Sequence, residues 1–146
     1  MATYSAKEPV LVKPSEETPR HSLYLSNLDD HMSLRFPIRY MYLFERRVEV
    51  EALKESLSRV LVEYYPLAGR LRACGDGEKK LEVECNGEGA LFVEGFLDLS
   101  SGEVLEGCER PSSSWREVFH RVEAERSWDV PPLVIQVRIT SSSSFF

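Results

Sequence analysis

The sequence contains few of the residues that build metal sites and disulfide frameworks, with only three cysteines and three histidines among 146 residues. They are Cys74, Cys85, Cys108, His21, His31 and His120. The cysteines match no CxxC spacing, and their odd number argues against a disulfide framework in a chain with no secretory signal. The histidines are too far apart in sequence to complete a zinc site. We therefore predict buried or half-buried free thiols and solvent-exposed histidines.

Long basic runs and long apolar runs are also missing. Lys and Arg number 18 against 24 Asp and Glu, so the formal net charge is -6. An acidic chain of this kind lacks the clustered cations that neutralise nucleic-acid phosphates. No stretch approaches the roughly 20 apolar residues of a membrane span, and residues 1–10 have no apolar signal region. The sequence predicts a cytoplasmic protein with no nucleic-acid partner.

The common catalytic motifs do not occur: GxSxG, Walker A, HExxH and GxGxxG are all missing. Two Gly-acid-Gly triplets, Gly75-Asp76-Gly77 and Gly87-Glu88-Gly89, superficially resemble nucleotide loops. Each precedes a predicted strand, whereas phosphate binding requires the N-terminus of a helix. We interpret both triplets as tight turns.

What is present is the composition of a globular domain, with 42% hydrophobic and 29% charged residues. Apolar residues recur every three or four positions from Glu49 to Tyr64, which predicts an amphipathic helix that Pro66 ends, with a sharp turn at Gly69. A weaker pattern predicts a second helix from Ser114 to Arg126, and residues 95–114 are predicted to be mostly loop.

Alternation of side chains predicts the strands. They are an edge strand at Val10–Val12, an aromatic strand at Phe36–Phe44, a hairpin of Arg70–Cys74 with Lys79–Cys85, a short strand at Ala90–Glu94 and a final strand at Leu133–Ile139. Residues 1–22 are interpreted as an extended Pro-rich arm, residues 23–139 as a domain, and residues 140–146 as an atypical low-complexity tail. The fold class is mixed α/β (α+β).

Four blocks of this sequence, in order, resemble the N-terminal part of the plant BAHD acyl-CoA-dependent acyltransferases. They are Leu25-Ser26-Asn27-Leu28-Asp29, then Tyr65 to Leu71 (YPLAGRL), Cys85 to Glu94 (CNGEGALFVE) and Pro131 to Val137 (PPLVIQV). The resemblance implies a chloramphenicol-acetyltransferase-like mixed sheet with packed helices, here an incomplete first domain of a two-domain fold. It also implies an acyl-CoA co-substrate, an alcohol acceptor, and no metal or prosthetic group.

The family's catalytic motif is missing. In the family, the PPLxxQVT strand leads to HxxxDG, whose histidine takes the proton of the acceptor. Here the pattern departs at Arg138, and no histidine has an aspartate four residues later. DFGWG, a segment of the family's second domain, is missing too. We expect a truncated chain with no turnover alone. A full-length relative should be a monomer, and the fragment should aggregate.

Within the family, the resemblance is greatest to hydroxycinnamoyl transferases, including those that acylate long-chain hydroxy fatty acids or fatty alcohols. The segment Phe36–Phe44 resembles the strand whose side chains reach the acceptor channel, which makes Ile38 and Tyr40 candidate substrate-binding residues. Plain core packing is the alternative for both.

Three interpretations remain open at the level of sequence. The chain is an acyltransferase with a truncated gene model or transcript, or a short binding protein derived from the family that catalyses nothing. The third, an enzyme of another class, has no motif in its favour.

Overall fold

The computed structural model describes residues 4–44, 48–74, 80–109, 122, 126 and 129–140. Its strands are β1 (Tyr4–Ala6), β2 (Val10–Val12), β3 (His21–Tyr24), β4 (Arg70–Ala73), β5 (Leu81–Cys85), β6 (Ala90–Leu97) and β7 (Val134–Thr140). Its helices are α1 (Val50–Glu63) and α2 (Ser101–Glu109), with short 3₁₀ turns at Met32–Leu34 and Tyr65–Ala68. The mixed helix and sheet composition agrees with the predicted fold class.

A four-stranded sheet is built around β6, the longest strand. β7 runs parallel to β6 along one edge, from Leu91↔Val134 to Leu97↔Thr140. β1 and β2 pair antiparallel with the two ends of β6, so they share its other edge. β2 and β7 confirm the strands predicted at Val10–Val12 and Leu133–Ile139, whereas β1 was not predicted.

A second, antiparallel sheet has the order β3-β5-β4. β5 alternates buried and half-buried residues, with Leu81, Val83 and Cys85 facing the interior, as the sequence predicts. β4 and β5 form the predicted hairpin. The turn predicted at residues 75–78 lies outside the described residues.

Helix α1 covers the four-stranded sheet and confirms the predicted helix to within one residue at each end. Leu57 and Leu61 are buried in a core cluster with Val12, Ala68, Ala90 and Phe92. Leu133, which precedes β7, and Ile135 and Val137 of β7 pack against this cluster, so the first half of the strand contributes alternate residues to it. Val60 and Tyr64, which the apolar pattern placed in the buried stripe, are exposed, and Tyr64 lies just beyond the end of α1.

The prediction of loop over residues 95–114 is wrong in its first part. β6 continues to Leu97, and α2 begins at Ser101. Ser100 and Glu103 form a capping box: the Glu103 carboxylate accepts from the Ser100 backbone N–H at 2.8 Å, and the Ser100 hydroxyl accepts from the Glu103 N–H at 3.3 Å. The helix predicted at Ser114–Arg126 lies almost wholly outside the described residues.

The strand predicted at Phe36–Phe44 is wrong as well, because these residues take part in no ladder. Alternation supplies the side-chain pattern of a strand, but a strand also needs a partner for its backbone N–H and C=O groups. Among the described strands, β5 and β6 are already paired along both edges, and the free edges of the others do not meet this segment.

Candidate functional site

The candidate substrate-binding residues lie in residues 36–44, which we call the apolar segment. Ile38 is 67% exposed and Tyr40 is 74% exposed, so neither packs in the core described by the structure. Phe36, Tyr42 and Phe44 are also more than half exposed. Large exposed apolar patches mark interaction or ligand-binding sites. The apolar segment is therefore the candidate functional surface.

The loop that precedes the apolar segment is anchored by Asp30. One oxygen of its buried carboxylate accepts a hydrogen bond from Arg35 Nη2 at 2.7 Å, and the other accepts from the backbone N–H of Leu81 at 2.9 Å. Lys80 Nζ lies 3.7 Å from the same carboxylate and 4.4 Å from the centre of the Tyr24 ring. These contacts fix the exit direction of the chain at Arg35, directly before the segment begins.

Burial alone would raise the pKa of the Asp30 carboxyl. The hydrogen bond from Leu81 and the positive charges of Arg35 and Lys80 outweigh burial, so the pKa of Asp30 lies below its ordinary value of 3.8. Asp30 is thus a charged, structural carboxylate at neutral pH, and it is not poised to act as a proton acceptor. Sequence reasoning missed this role because Asp30 and Leu81 are 51 residues apart.

Two of the motif blocks, YPLAGRL and CNGEGALFVE, contact each other. A Cβ at Gly69 would lie 2.4 Å from the backbone oxygen of Glu84, so only glycine permits this approach. The backbone N–H of Gly89 donates to the carbonyl of Ala68 at 2.9 Å, and Arg70 Nη1 donates to the carbonyl of Gly89 at 2.8 Å. The sequence predicted a sharp turn at Gly69, whereas its φ of -87° is ordinary and close packing is the reason for glycine.

The triplet Gly87-Glu88-Gly89 forms the turn that joins β5 to β6, as predicted. Gly87 and Gly89 have φ of 67° and 107°, a region that L side chains rarely adopt. The Asn86 amide donates to the Glu88 carboxylate at 2.6 Å, and Glu88 also pairs with Arg70 at 3.0 Å. No helix follows this turn, so it lacks the geometry of a phosphate loop.

The described cysteines and histidines form no reactive centre. Cys74 and Cys85 are free thiols. Cys85 is buried, as predicted, whereas the prediction is wrong for Cys74, which is exposed just beyond the end of the hairpin strand β4. The side chain of Cys108 lies outside the described part. Burial raises the pKa of the Cys85 thiol, which keeps it protonated and unreactive. His21 lies edge-on to Tyr65, with 5.7 Å between ring centroids, beside an open cleft of about 270 Å³. His120 lies outside the described residues.

Within the described ranges, no three His, Cys, Asp or Glu side chains are grouped as a metal ion would require. In the same part of the chain, no helix is both long and apolar enough to cross a bilayer. The side chains so far described can hold the fold together and present the apolar segment.

Comparison with known proteins gives one consistent result. Residues 3–145 match the model of a family described as the Transferase family. The chain is 38% identical to the omega-hydroxypalmitate O-feruloyl transferase of Arabidopsis thaliana over 135 residues, which cover 90% of this chain and 29% of the relative. It is 36% identical to the fatty alcohol:caffeoyl-CoA acyltransferase of the same plant, over 90% of this chain and 32% of the relative.

Two further comparisons agree. An alcohol acyl transferase 1 allele (GSd) of Malus domestica is 47% identical over 94% of this chain and 31% of the relative. The crystal structure of vinorine synthase matches with a TM-score of 0.56 over 95% of this chain and 35% of that structure, at 21% identity, which shows a shared fold. The chain spans about a third of the length of the relatives that it matches. It belongs to the Transferase family, the plant BAHD acyltransferases.

Proposed function

We propose that this chain is the part of an acyl-CoA-dependent O-acyltransferase that presents the acceptor-binding surface. The observation that carries the proposal is the family match over residues 3–145. The names of the relatives add the substrate class, since they describe feruloyl transfer to omega-hydroxypalmitate, caffeoyl transfer to a fatty alcohol and benzoyl transfer to benzyl alcohol. The proposed reaction is transfer of a hydroxycinnamoyl group to an alcohol, with a long-chain alcohol as acceptor and the cytosol as location.

In this reaction the acceptor oxygen attacks the thioester carbonyl. A carbon–oxygen bond forms, the carbon–sulfur bond breaks, and the acceptor proton passes through a general base to the departing CoA thiolate. We assign Ile38 and Tyr40 to contact with the acceptor, because both are large, exposed and two residues apart in the apolar segment. No histidine among residues 1–146 has the HxxxD spacing of the family's base. We therefore propose that the chain has no turnover alone.

A chimera tests the acceptor assignment. Residues 3–140 of this chain would replace the matching third of the omega-hydroxypalmitate O-feruloyl transferase, which supplies the remainder. We expect the chimera to transfer feruloyl groups from CoA. Ile38→Ala and Tyr40→Ala should each raise the KM for a long-chain alcohol about tenfold, since each removes apolar contact, and should leave the KM for feruloyl-CoA unchanged.

Met32→Ala is the matched control, because Met32 is 73% exposed and lies outside the apolar segment. It should change neither KM. A folded chimera without transferase activity would contradict the proposed function. An active chimera in which the Ile38 and Tyr40 variants behave like the Met32 variant would contradict only the assignment of these two residues.

The apolar segment also favours a second function, a binding protein that catalyses nothing. Its large exposed aromatic side chains suit capture of an apolar ligand or a partner surface. In that case the 146-residue chain should bind a fatty alcohol or a hydroxycinnamoyl thioester without converting it. The chimera separates the two functions, because a binding protein would not restore acyl transfer.

A further inference from the structure

The apolar segment begins where a compact turn ends. Backbone hydrogen bonds within the chain close this turn: the N–H of Asp30 donates to the carbonyl of Ser26 at 3.0 Å, and the N–H of Phe36 donates to the carbonyl of Leu34 at 2.8 Å. Phe36 is the first residue of the apolar segment. The direction in which the segment leaves therefore follows the placement of the turn.

A buried ion pair fastens the turn to the three-stranded sheet. The Asp30 and Arg35 side chains are only 2% and 8% exposed, and a carboxylate oxygen lies 2.7 Å from the guanidinium. The other carboxylate oxygen accepts from the backbone N–H of Leu81, the first residue of β5. β5 is paired on both sides, by β3 and β4. The residue directly before the apolar segment is thus connected to the central strand of a sheet.

Burial makes an ion pair a poor means of stabilising a fold. The removal of two opposite charges from water costs about as much as their attraction returns, and apolar residues of similar volume often stabilise a protein equally well. What the pair does provide is direction, because a planar guanidinium and a carboxylate bond in few relative orientations. The residues that follow it contribute little to the core, since Phe36, Ile38 and Tyr40 are all more than half exposed.

We propose that Asp30 and Arg35 are positioning residues for the alcohol acceptor, an inference that rests on the proposed function of the apolar segment. The ion pair sets the direction of the chain at Arg35 and thereby the place of Ile38, three residues further along. Both side chains act through the segment, because they are buried and do not offer a surface to a ligand. Displacement by about 1 Å of groups that position a substrate can lower the rate 10²-fold.

Lys80 is the outer member of the same cluster. Its Nζ lies 3.7 Å from the Asp30 carboxylate, 3.4 Å from the side-chain oxygen of Asn27 and 4.4 Å from the centre of the Tyr24 ring. The Lys80 side chain is 26% exposed, so its loss leaves the inner ion pair in place. Lys80 therefore offers a milder test of the same role.

The steady-state kinetics of the chimera test the proposal. Asp30→Asn keeps an oxygen for the Leu81 N–H and removes the charge that faces Arg35. It should raise the KM for a long-chain alcohol about tenfold and leave the KM for feruloyl-CoA unchanged. Lys80→Met, which is expected to stay folded, should raise the KM for the alcohol about threefold, in keeping with the loss of a partly exposed charge pair.

A double variant separates positioning from stability. Asp30→Asn with Arg35→Met removes both charges, so neither member of the pair remains as an uncompensated buried charge. Its midpoint of thermal unfolding should return close to that of the wild-type chimera. The KM for the long-chain alcohol should nevertheless stay raised about tenfold, because the direction of the segment is no longer specified. A merely structural role would restore this KM together with the stability.

Glu82→Gln is the matched control. Glu82 is another carboxylate of β5 that pairs with an arginine at 2.8 Å, but its partner Arg72 belongs to β4 and not to the turn. This variant should change neither KM. An active chimera whose Asp30 and Lys80 variants keep the wild-type KM for the alcohol overturns the inference alone, as does recovery of that KM in the double variant. A folded wild-type chimera without activity overturns the proposed function, and the inference with it.

Discussion

Replacing Gly69 with alanine should destabilise the chain by about 3 kcal/mol, the upper end of the range for overpacking. The new Cβ would lie 2.4 Å from the backbone oxygen of Glu84 and 3.1 Å from that of Pro66, and neither backbone atom can move without shifting a strand or a turn. Urea unfolding followed by circular dichroism measures the change. It would amount to a large share of the stability of a domain of this size.

Gly102→Ala is the control for this prediction. Gly102 lies in α2, and the nearest atom to an added Cβ is the Ser100 hydroxyl oxygen at 4.0 Å, so there is room for the methyl group. Alanine favours a helix over glycine by about 0.5–1 kcal/mol, and this variant should be slightly stabilised. Equal effects at the two glycines would contradict the close approach of the YPLAGRL turn to β5.

Asp30→Asn should destabilise the chain by about 2–3 kcal/mol at pH 7, because it removes the buried negative charge that faces Arg35 and Lys80. The pKa of Asp30 is lowered in the folded chain. The contribution of the Asp30 charge to the free energy of unfolding is therefore complete above the ordinary pKa of 3.8, and it is lost as the pH falls through the lowered folded value. The difference in unfolding free energy between wild type and variant should therefore be constant above about pH 5 and shrink on further acidification.

Asp29→Asn provides the comparison at the neighbouring position. The Asp29 carboxylate is exposed and accepts a hydrogen bond from the Ser26 hydroxyl at 2.7 Å, within the same turn. This variant should cost about 0.5 kcal/mol, as expected for one exposed hydrogen bond. Two outcomes would contradict the role of the Asp30 charge in anchoring the loop: equal effects of the two variants, or a difference in unfolding free energy between wild type and Asp30→Asn that grows toward acid pH.

Local patterns were sufficient where the structure depends on neighbours in sequence. The three- and four-residue spacing of Leu53, Leu57 and Leu61 predicts α1, and the alternation from Leu133 to Ile139 predicts β7. The capping box at Ser100 and Glu103 could have revealed α2, but Gly102 and Gly107 weaken the helical pattern that follows it.

Contacts between residues far apart in sequence could not be predicted in this way. The apolar segment has the alternation of a strand, but it pairs with no described strand. Whether a pairing strand is available depends on other parts of the chain, so it cannot be predicted from residues 36–44. The burial of Asp30 depends on Leu81, and the need for glycine at position 69 depends on Glu84. The family resemblance that rested on the four motif blocks is confirmed by the family match. The structure adds that the YPLAGRL and CNGEGALFVE blocks are held together by packing and hydrogen bonds.

Release of CoA by the 146-residue chain alone tests the central claim most directly. Purified chain would be incubated with feruloyl-CoA and a long-chain alcohol, with the chimera as the positive control. We expect release by the chimera and none above background by the chain alone, because general-base catalysis contributes about 10²–10⁴-fold and no histidine of this chain has the HxxxD spacing. Robust release that depends on the chain alone would contradict the claim.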